Sequence, residues 1–393
     1  MITDTDPATT ARDAPGSWLV AGTATAVLAV VLGVFGSIGV LIDPLAATYG
    51  APRSHLVLLF AVALAVHTAA ARSAGRAVDR WGPRPALAVA AAGMGAGLLA
   101  PATATTTWVA VGGYGIGLGL ASACTWVATS TVVSGTFEHR RAAALGLLAA
   151  GPAAGGVVIA PAAAALAATS GPRIACAVLA LVGTAVCAAG ALLIRDHRYR
   201  GDPRTTSRPS AVVVGREPRR FHAAGLLMGL VVFVPLVHLA GIAVDLGLPP
   251  GHGAALLAVV STMSAATRLG AGWFATPRTL PLLFLGCHGL VAAAFAVWTL
   301  AGPATALPVL IAVALLFGTG YGAWLSLAPA ILAARTDPRH LGRALGTHAT
   351  AVGIGGAIGP VLASPLLAHA PALTFSGCAA VAVIAALVLG AAR

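Results

Sequence analysis

"GRAVDRWGPR", residues 75–84, puts four charged side chains on ten positions: Arg76, Asp79, Arg80 and Arg84. Only 9% of the chain is charged, and long runs of Ala, Val and Leu lie on either side of this stretch. Gly75 opens it and the Gly82-Pro83 pair interrupts it, so it reads as a charged turn between two apolar segments.

Those segments read as membrane spans. The 393 residues are 58% hydrophobic, with a mean hydropathy of +0.92. Soluble domains run nearer 45–50% apolar and about 25% charged. A helix that crosses a bilayer needs about 20 apolar residues. With charges, Pro and Gly as punctuation, the sequence predicts twelve spans, near 17–42, 54–75, 84–103, 107–135, 142–168, 173–195, 221–246, 252–275, 279–300, 305–333, 342–368 and 371–392. The apolar run after the polar N-terminal stretch is too long for a signal-peptide core, so an uncleaved first span is expected. The widest gap, residues 195–221, is basic and contains Pro. It divides the chain into an N-terminal tail (1–16), a six-helix bundle (17–195), a basic linker (196–220) and a second six-helix bundle (221–393).

The net charge of +12 comes entirely from Arg, since the chain has no Lys. A nucleic-acid partner is excluded, because the charge sits in short loops and forms no basic face on a soluble domain. Twenty of the 23 arginines fall in the tail, the linker and the loops on one side of the spans. Arg53 and Arg173 fall on the other side, and Arg268 lies inside a span. That bias predicts a plasma-membrane protein with both termini in the cytoplasm. The five cysteines lie in apolar runs, without disulfide or metal spacing. No cofactor or metal is expected. Neither is an enzyme, because no His-Glu-x-x-His, nucleophile elbow or paired carboxylate is found.

The two halves repeat. Leu145-Gly146 and Gly155-Gly156 match Leu345-Gly346 and Gly355-Gly356 at an offset of 200. Gly50, Pro52, His55 and Gly75 match Gly247, Pro249, His252 and Gly272 at an offset of 197. Two parallel six-helix repeats, with a site at their interface near mid-membrane, describe a secondary transporter.

The opening stretch resembles the Gly-x-x-x-Asp-Arg-x-Gly-x-Arg motif of the major facilitator superfamily, filled here by Gly75, Asp79, Arg80, Gly82 and Arg84. The resemblance implies an all-α fold of twelve transmembrane helices in two pseudo-symmetric bundles, working as a monomer by alternating access. It also implies that these five residues latch the halves in the outward-facing state. The second-half copy, "GWFATPR" (272–278), has Thr276 in place of the Asp, which makes any latch one-sided. Residues 43–60, 137–146 and 233–274 look like the monocarboxylate porter and oxalate–formate antiporter branch.

That resemblance implies a small carboxylate as substrate and assigns Arg268 to meet it. An Arg inside a span is costly unless it faces a cavity or a partner; snorkelling to the surface is the alternative. His238 matches a cavity-lining position of the branch. Ser264 stands where relatives carry an Asp four residues before this Arg, so no carboxylate is expected to compete for Arg268. Tyr321, Tyr114 and Trp324 are candidates for the cavity wall, with helix packing as the alternative. No Asp or Glu lies mid-membrane, so a His, with His67 and His238 the candidates, or the substrate's own carboxylate would have to carry the proton, and His348 is a further cavity candidate. "GPAAGG" (151–156) resembles a helix-5 motif of drug–proton antiporters, which makes an exporter of that type the competing reading.

Overall fold

With no water to bond to, a backbone in hydrocarbon satisfies its own N–H and C=O groups, and an isolated span does so as a helix. The computed structural model describes residues 15–137, 141–194, 216–274, 278–335 and 341–390, and the regular elements in them are α-helices. The first half holds α1 (Pro15–Gly36), α2 (Gly39–Tyr49), α3 (Arg53–Trp81), α4 (Pro83–Thr103), α5 (Thr107–Thr136), α6 (Arg141–Ser170) and α7 (Pro172–Leu193). The second holds α8 (Arg216–Val232), α9 (Val234–Asp245), α10 (Pro250–Phe274), α11 (Leu280–Trp298), α12 (Ala306–Arg335), α13 (Leu341–His369) and α14 (Pro371–Gly390). Twelve stretches among the described residues are long and apolar enough to cross a membrane, as the hydropathy pattern predicts. Leu19, Leu181, Leu192, Leu193, Leu373 and Leu387 are each more than 60% exposed, an outer surface suited to lipid. The tail before residue 15, most of the linker and Thr276 lie outside the described residues.

Two spans read as continuous in the sequence are broken. The first divides into α1 and α2 at Ser37-Ile38, where the Ser37 N–H is shared between Gly33 O (3.0 Å) and Val34 O (3.2 Å). A Gly-Ser pair, here Gly36-Ser37, is a usual place for a kink. The seventh divides into α8 and α9 at Phe233. Pro235, two residues on, has no N–H for the Val231 carbonyl, and its ring crowds that oxygen. At the 197-residue offset Gly36 corresponds to Phe233, so the breaks are repeat mates.

The repeat extends to individual contacts. Gly50 (φ 59°) and Gly247 (φ 86°) end α2 and α9 in the left-handed region that glycine tolerates. Behind them Ala51 N bonds Ala46 O (3.1 Å) and Leu248 N bonds Ala243 O (2.9 Å). A Cβ on Gly155 would strike the Ala29 carbonyl of α1, and one on Gly355 would strike the Leu226 carbonyl of α8. A Cβ on Gly156 would meet Ser261 of α10, and one on Gly356 would meet Phe233 of its own half and Leu64 of α3. Ala29 and Leu226, like Leu64 and Ser261, are 197 apart. In each Gly-Gly pair the first glycine brings two helices of one half together, and the second faces the other half.

The halves therefore meet along α6–α10 and α3–α13, and also where Gly39 of α2 packs on the Leu236 carbonyl of α9. We call the side carrying the Gly50 and Gly247 turns the turn face, and the side carrying residues 75–84 the motif face.

Overpacking costs about 1–3 kcal/mol, with backbone contacts at the upper end. Gly155→Val should lower the thermal unfolding midpoint in detergent by several degrees. Gly146→Val, where a Cβ meets nothing within 4 Å, should leave it within error.

Candidate functional site

Arg268 lies on α10 in the interface between the halves. Its Nη1 donates to the Ala149 carbonyl of α6, in the opposite half, at 3.0 Å. Its Cζ sits 5.8 Å from the centroid of the Tyr321 ring of α12. Its Nε is buried and has no hydrogen-bond partner among the described residues. The sequence reading holds that no carboxylate competes for this guanidinium; a backbone carbonyl takes one of its donors instead. An unpaired buried donor on a charged group is costly, so Nε calls for an acceptor.

Tyr321 is clamped by its neighbours. Its ring stacks on Phe317 (5.5 Å, 8°) and meets Phe233, at the α8–α9 break, edge-on (6.4 Å, 73°). Phe233 meets Phe60 (5.5 Å), which meets Phe35 near the end of α1 (5.1 Å), which lies 6.4 Å from His67. A row of rings thus links the two helix breaks and runs from His67 in the first half to Arg268 in the second.

His67 Nδ1 lies 2.9 Å from Ser122 Oγ on α5. The Ser122 hydroxyl donates to Gly119 O at 3.0 Å, so its oxygen accepts from Nδ1–H. The neutral imidazole then carries its acceptor lone pair on Nε2. At the 197-residue offset His67 corresponds to Ser264. Gly119 packs on Ala63 and Val66 as Gly318 packs on Val260 and Met263, which pairs Ser122 with Tyr321. The same two positions in each repeat therefore face the interface with different chemistry: His and Ser in one half, Ser and Tyr in the other. One turn from Ser264, Arg268 corresponds to Ala71, so the cation has no mate.

The other sequence candidates sit as follows. Ser264 is buried in the α10–α12 seam against Gly322, with its hydroxyl unpartnered. His238 is 1% exposed, and its Nε2 is 3.0 Å from the Pro360 carbonyl within the second half. His348 packs against Phe221, His222 and Trp324, also within the second half. Tyr114 is fully buried in the first half. A separate recess of about 320 Å³ between α3 and α13 is lined by Leu58, Val62, Ala65, Ile358, Val361 and Leu362, and offers an anion no partner. In "GPAAGG", Gly151 and Gly155 seat α6 on α1 and Gly156 seats it on α10, which accounts for the motif by packing.

The 75–84 stretch divides its labour. Gly82 (φ 82°) ends α3 and leads into Pro83 at the first position of α4. Arg84 donates from Nε to Ile194 O (2.9 Å) and from Nη2 to Leu192 O (3.3 Å), closing the end of α7 within its own half. Arg80 lies over the Trp81 ring (5.6 Å). A Cβ at Gly75 would meet nothing within 4 Å. Asp79 is exposed and makes no hydrogen bond or ion pair among the described residues.

Sequence reasoning missed a cluster on the turn face. Arg53, at the start of α3, pairs with Asp43 of α2 and Asp245 of α9. The signal was present: Asp43, Arg53 and Asp245 all lie at the outer ends of the spans read from the sequence.

A hydrogen bond to a charged group contributes about 1.5–3 kcal/mol. Arg84→Ala should therefore lower stability by about that amount in thermal unfolding. Asp79→Asn should leave the midpoint unchanged, because its carboxylate makes no hydrogen bond or ion pair among the described residues.

The family pattern described as Major Facilitator Superfamily matches residues 23–360. Human monocarboxylate transporter 11 (Homo sapiens) is 30% identical over 369 residues, 89% of this chain and 77% of that protein. Its mouse counterpart (Mus musculus) is 30% identical over 277 residues, 69% of this chain and 62% of that protein. With twelve spans, a two-fold repeat and a cation held between the repeats, the chain belongs to the major facilitator superfamily of transporters and is a relative of its monocarboxylate porters.

Proposed function

We propose that this transporter carries a small carboxylate across the cytoplasmic membrane by alternating access, and that Arg268 binds the carboxylate. The observation that carries the reading is the buried, unpartnered Nε of Arg268 at the interface of the halves. Nε and a neighbouring Nη form the planar edge that a carboxylate fits with two parallel hydrogen bonds. Tyr321, fixed by Phe317 and Phe233, holds the guanidinium from one side. The relatives' name, monocarboxylate transporter, agrees with a single-carboxylate cargo.

His67 is the proton carrier in this reading. Its Nε2 is free to accept when Ser122 holds Nδ1–H, and the aromatic row places it across the interface from Arg268. His238 supports the closure of α9 on α13 through Pro360. The arginine bias puts the motif face and both termini in the cytoplasm. The turn face is then extracellular, and it is the closed one here: Arg53 bridges the halves, while Asp79 at the opposite face is unengaged among the described residues. That is the state in which a motif-face latch is expected to be open.

Transport of a panel of short mono- and dicarboxylates into proteoliposomes tests the reading. Arg268→Ala should abolish it with membrane insertion intact. Arg268→Lys keeps the charge but loses the fork, and should raise KM about tenfold or more, a loss of about 1.4 kcal/mol or more. Normal transport by Arg268→Ala would overturn the assignment; efflux of lipophilic drugs without carboxylate transport would favour an exporter.

A further inference from the structure

We infer that Arg53, Asp43 and Asp245 form a gate on the turn face, and that Asp43 is a proton-binding site whose occupation holds this gate shut. The inference rests on geometry independent of Arg268.

Arg53 makes two hydrogen bonds and one ion pair that lacks hydrogen-bond geometry. Nε reaches Asp43 Oδ1 at 3.2 Å, within its own half. Nη1 reaches Asp245 Oδ2 at 3.1 Å and Nη2 the His238 carbonyl at 3.3 Å, both in the other half. The seat is specific, because a Cβ on Gly241 of α9 would collide with the Arg53 guanidinium and the Asp43 carboxylate. Arg53 also stands at the start of α3, where the positive end of the helix disfavours a cation. Its position is therefore set by the two carboxylates. When the halves part on this face, Arg53 must release Asp245 and the His238 carbonyl and keep Asp43.

Two carboxylates around one guanidinium leave a net negative charge. Burial holds Asp43 above the usual carboxylate range; Arg53 pulls it down and Asp245 pushes it up again. Opening admits water and carries Asp245 away with the second half, so both causes of the upward shift are relieved together. Asp43 thus binds a proton more tightly with the gate closed than with it open. By linkage the closed state is favoured as pH falls through the raised value, and this preference is complete below the open-state value.

The other titratable or charged groups on the surrounding elements are Tyr49 on α2, His55 on α3, Arg173 on α7, His238 on α9 and His252 on α10. Tyr49 donates to Pro101 O, Arg173 donates to Ala104 O, and His238 Nε2 lies on Pro360 O. The His55 ring packs on Trp108. Asp43→Asn leaves all of these groups in place.

The experiment is a distance measurement between spin labels at Thr48→Cys and Val244→Cys, across the gate, with the native cysteines replaced and no substrate present. As pH is lowered from about 7.5 through the carboxylate range, the short-distance population should grow several-fold. Asp43→Asn should fix it at the acid level, independent of pH. Arg53→Gln should shift the population at least tenfold toward long distances at every pH, with native thermal stability as the control for folding. A pH response that survives Asp43→Asn, or a distance distribution unmoved by Arg53→Gln, would overturn the inference. The readout uses no transported substrate, so it stands or falls separately from the carboxylate assignment.

Discussion

A guanidinium inside an apolar bundle must have partners, and this constraint organises the middle of the molecule. Arg268 lacks the carboxylate that would neutralise it. It takes a carbonyl from the opposite half through Nη1, the face of Tyr321, and nothing at Nε. Its hydrogen bond to Ala149 makes the cation part of the contact between the halves, and Nε is where the proposed anion would bind. A carboxylate arriving at Nε would add charge compensation that neither Ala149 nor Tyr321 supplies.

The glycines set how close the halves can come. Gly155 and Gly355 bring α6 onto α1 and α13 onto α8 at backbone distance, and Gly156 and Gly356 make room for the side chains of Ser261 and Leu64 across the interface. This packing obeys the repeat, whereas the chemistry departs from it. His67 and Ser122 in one half answer to Ser264 and Tyr321 in the other, and Arg268 answers to Ala71. The symmetric scaffold gives each half an equivalent place at the interface, and the unsymmetric side chains give a cation on one side and an imidazole on the other. The turn face follows the same rule: Arg53 corresponds to Pro250 and Asp43 to Ala240, so the ion cluster is also unique to its position.

Much of this was legible in the sequence. Spans of about 20 apolar residues announce themselves by length, and the Gly-Gly pairs revealed the repeat that the packing follows. Arg268 stood out as a charge within a span. The helix breaks were harder to read, because Gly36 of the Gly36-Ser37 pair is one of several glycines in its span and, at Phe233, the telling Pro235 lies two residues downstream. The Ala149 carbonyl is backbone and has no letter. Arg53 and Asp245 are 192 residues apart, so each looked like an isolated end-of-helix charge. In the 75–84 motif, proximity in sequence suggested one joint role, whereas Arg84 closes α7 and Gly82 makes the turn.

The central claim is that Arg268 recognises a carboxylate, and ligand-induced stabilisation measures that without transport. A ligand that binds only the folded state raises its stability in proportion to RT ln(1 + [L]/Kd). Short carboxylic acids and their neutral amides should be compared on the purified protein in a thermal-shift titration. The account predicts that one or more acids raise the midpoint, that the matching amides do not, and that Arg268→Ala, folded and otherwise normal, responds to neither. Equal stabilisation of wild type and Arg268→Ala by the acids, or stabilisation by the amides alone, would contradict it.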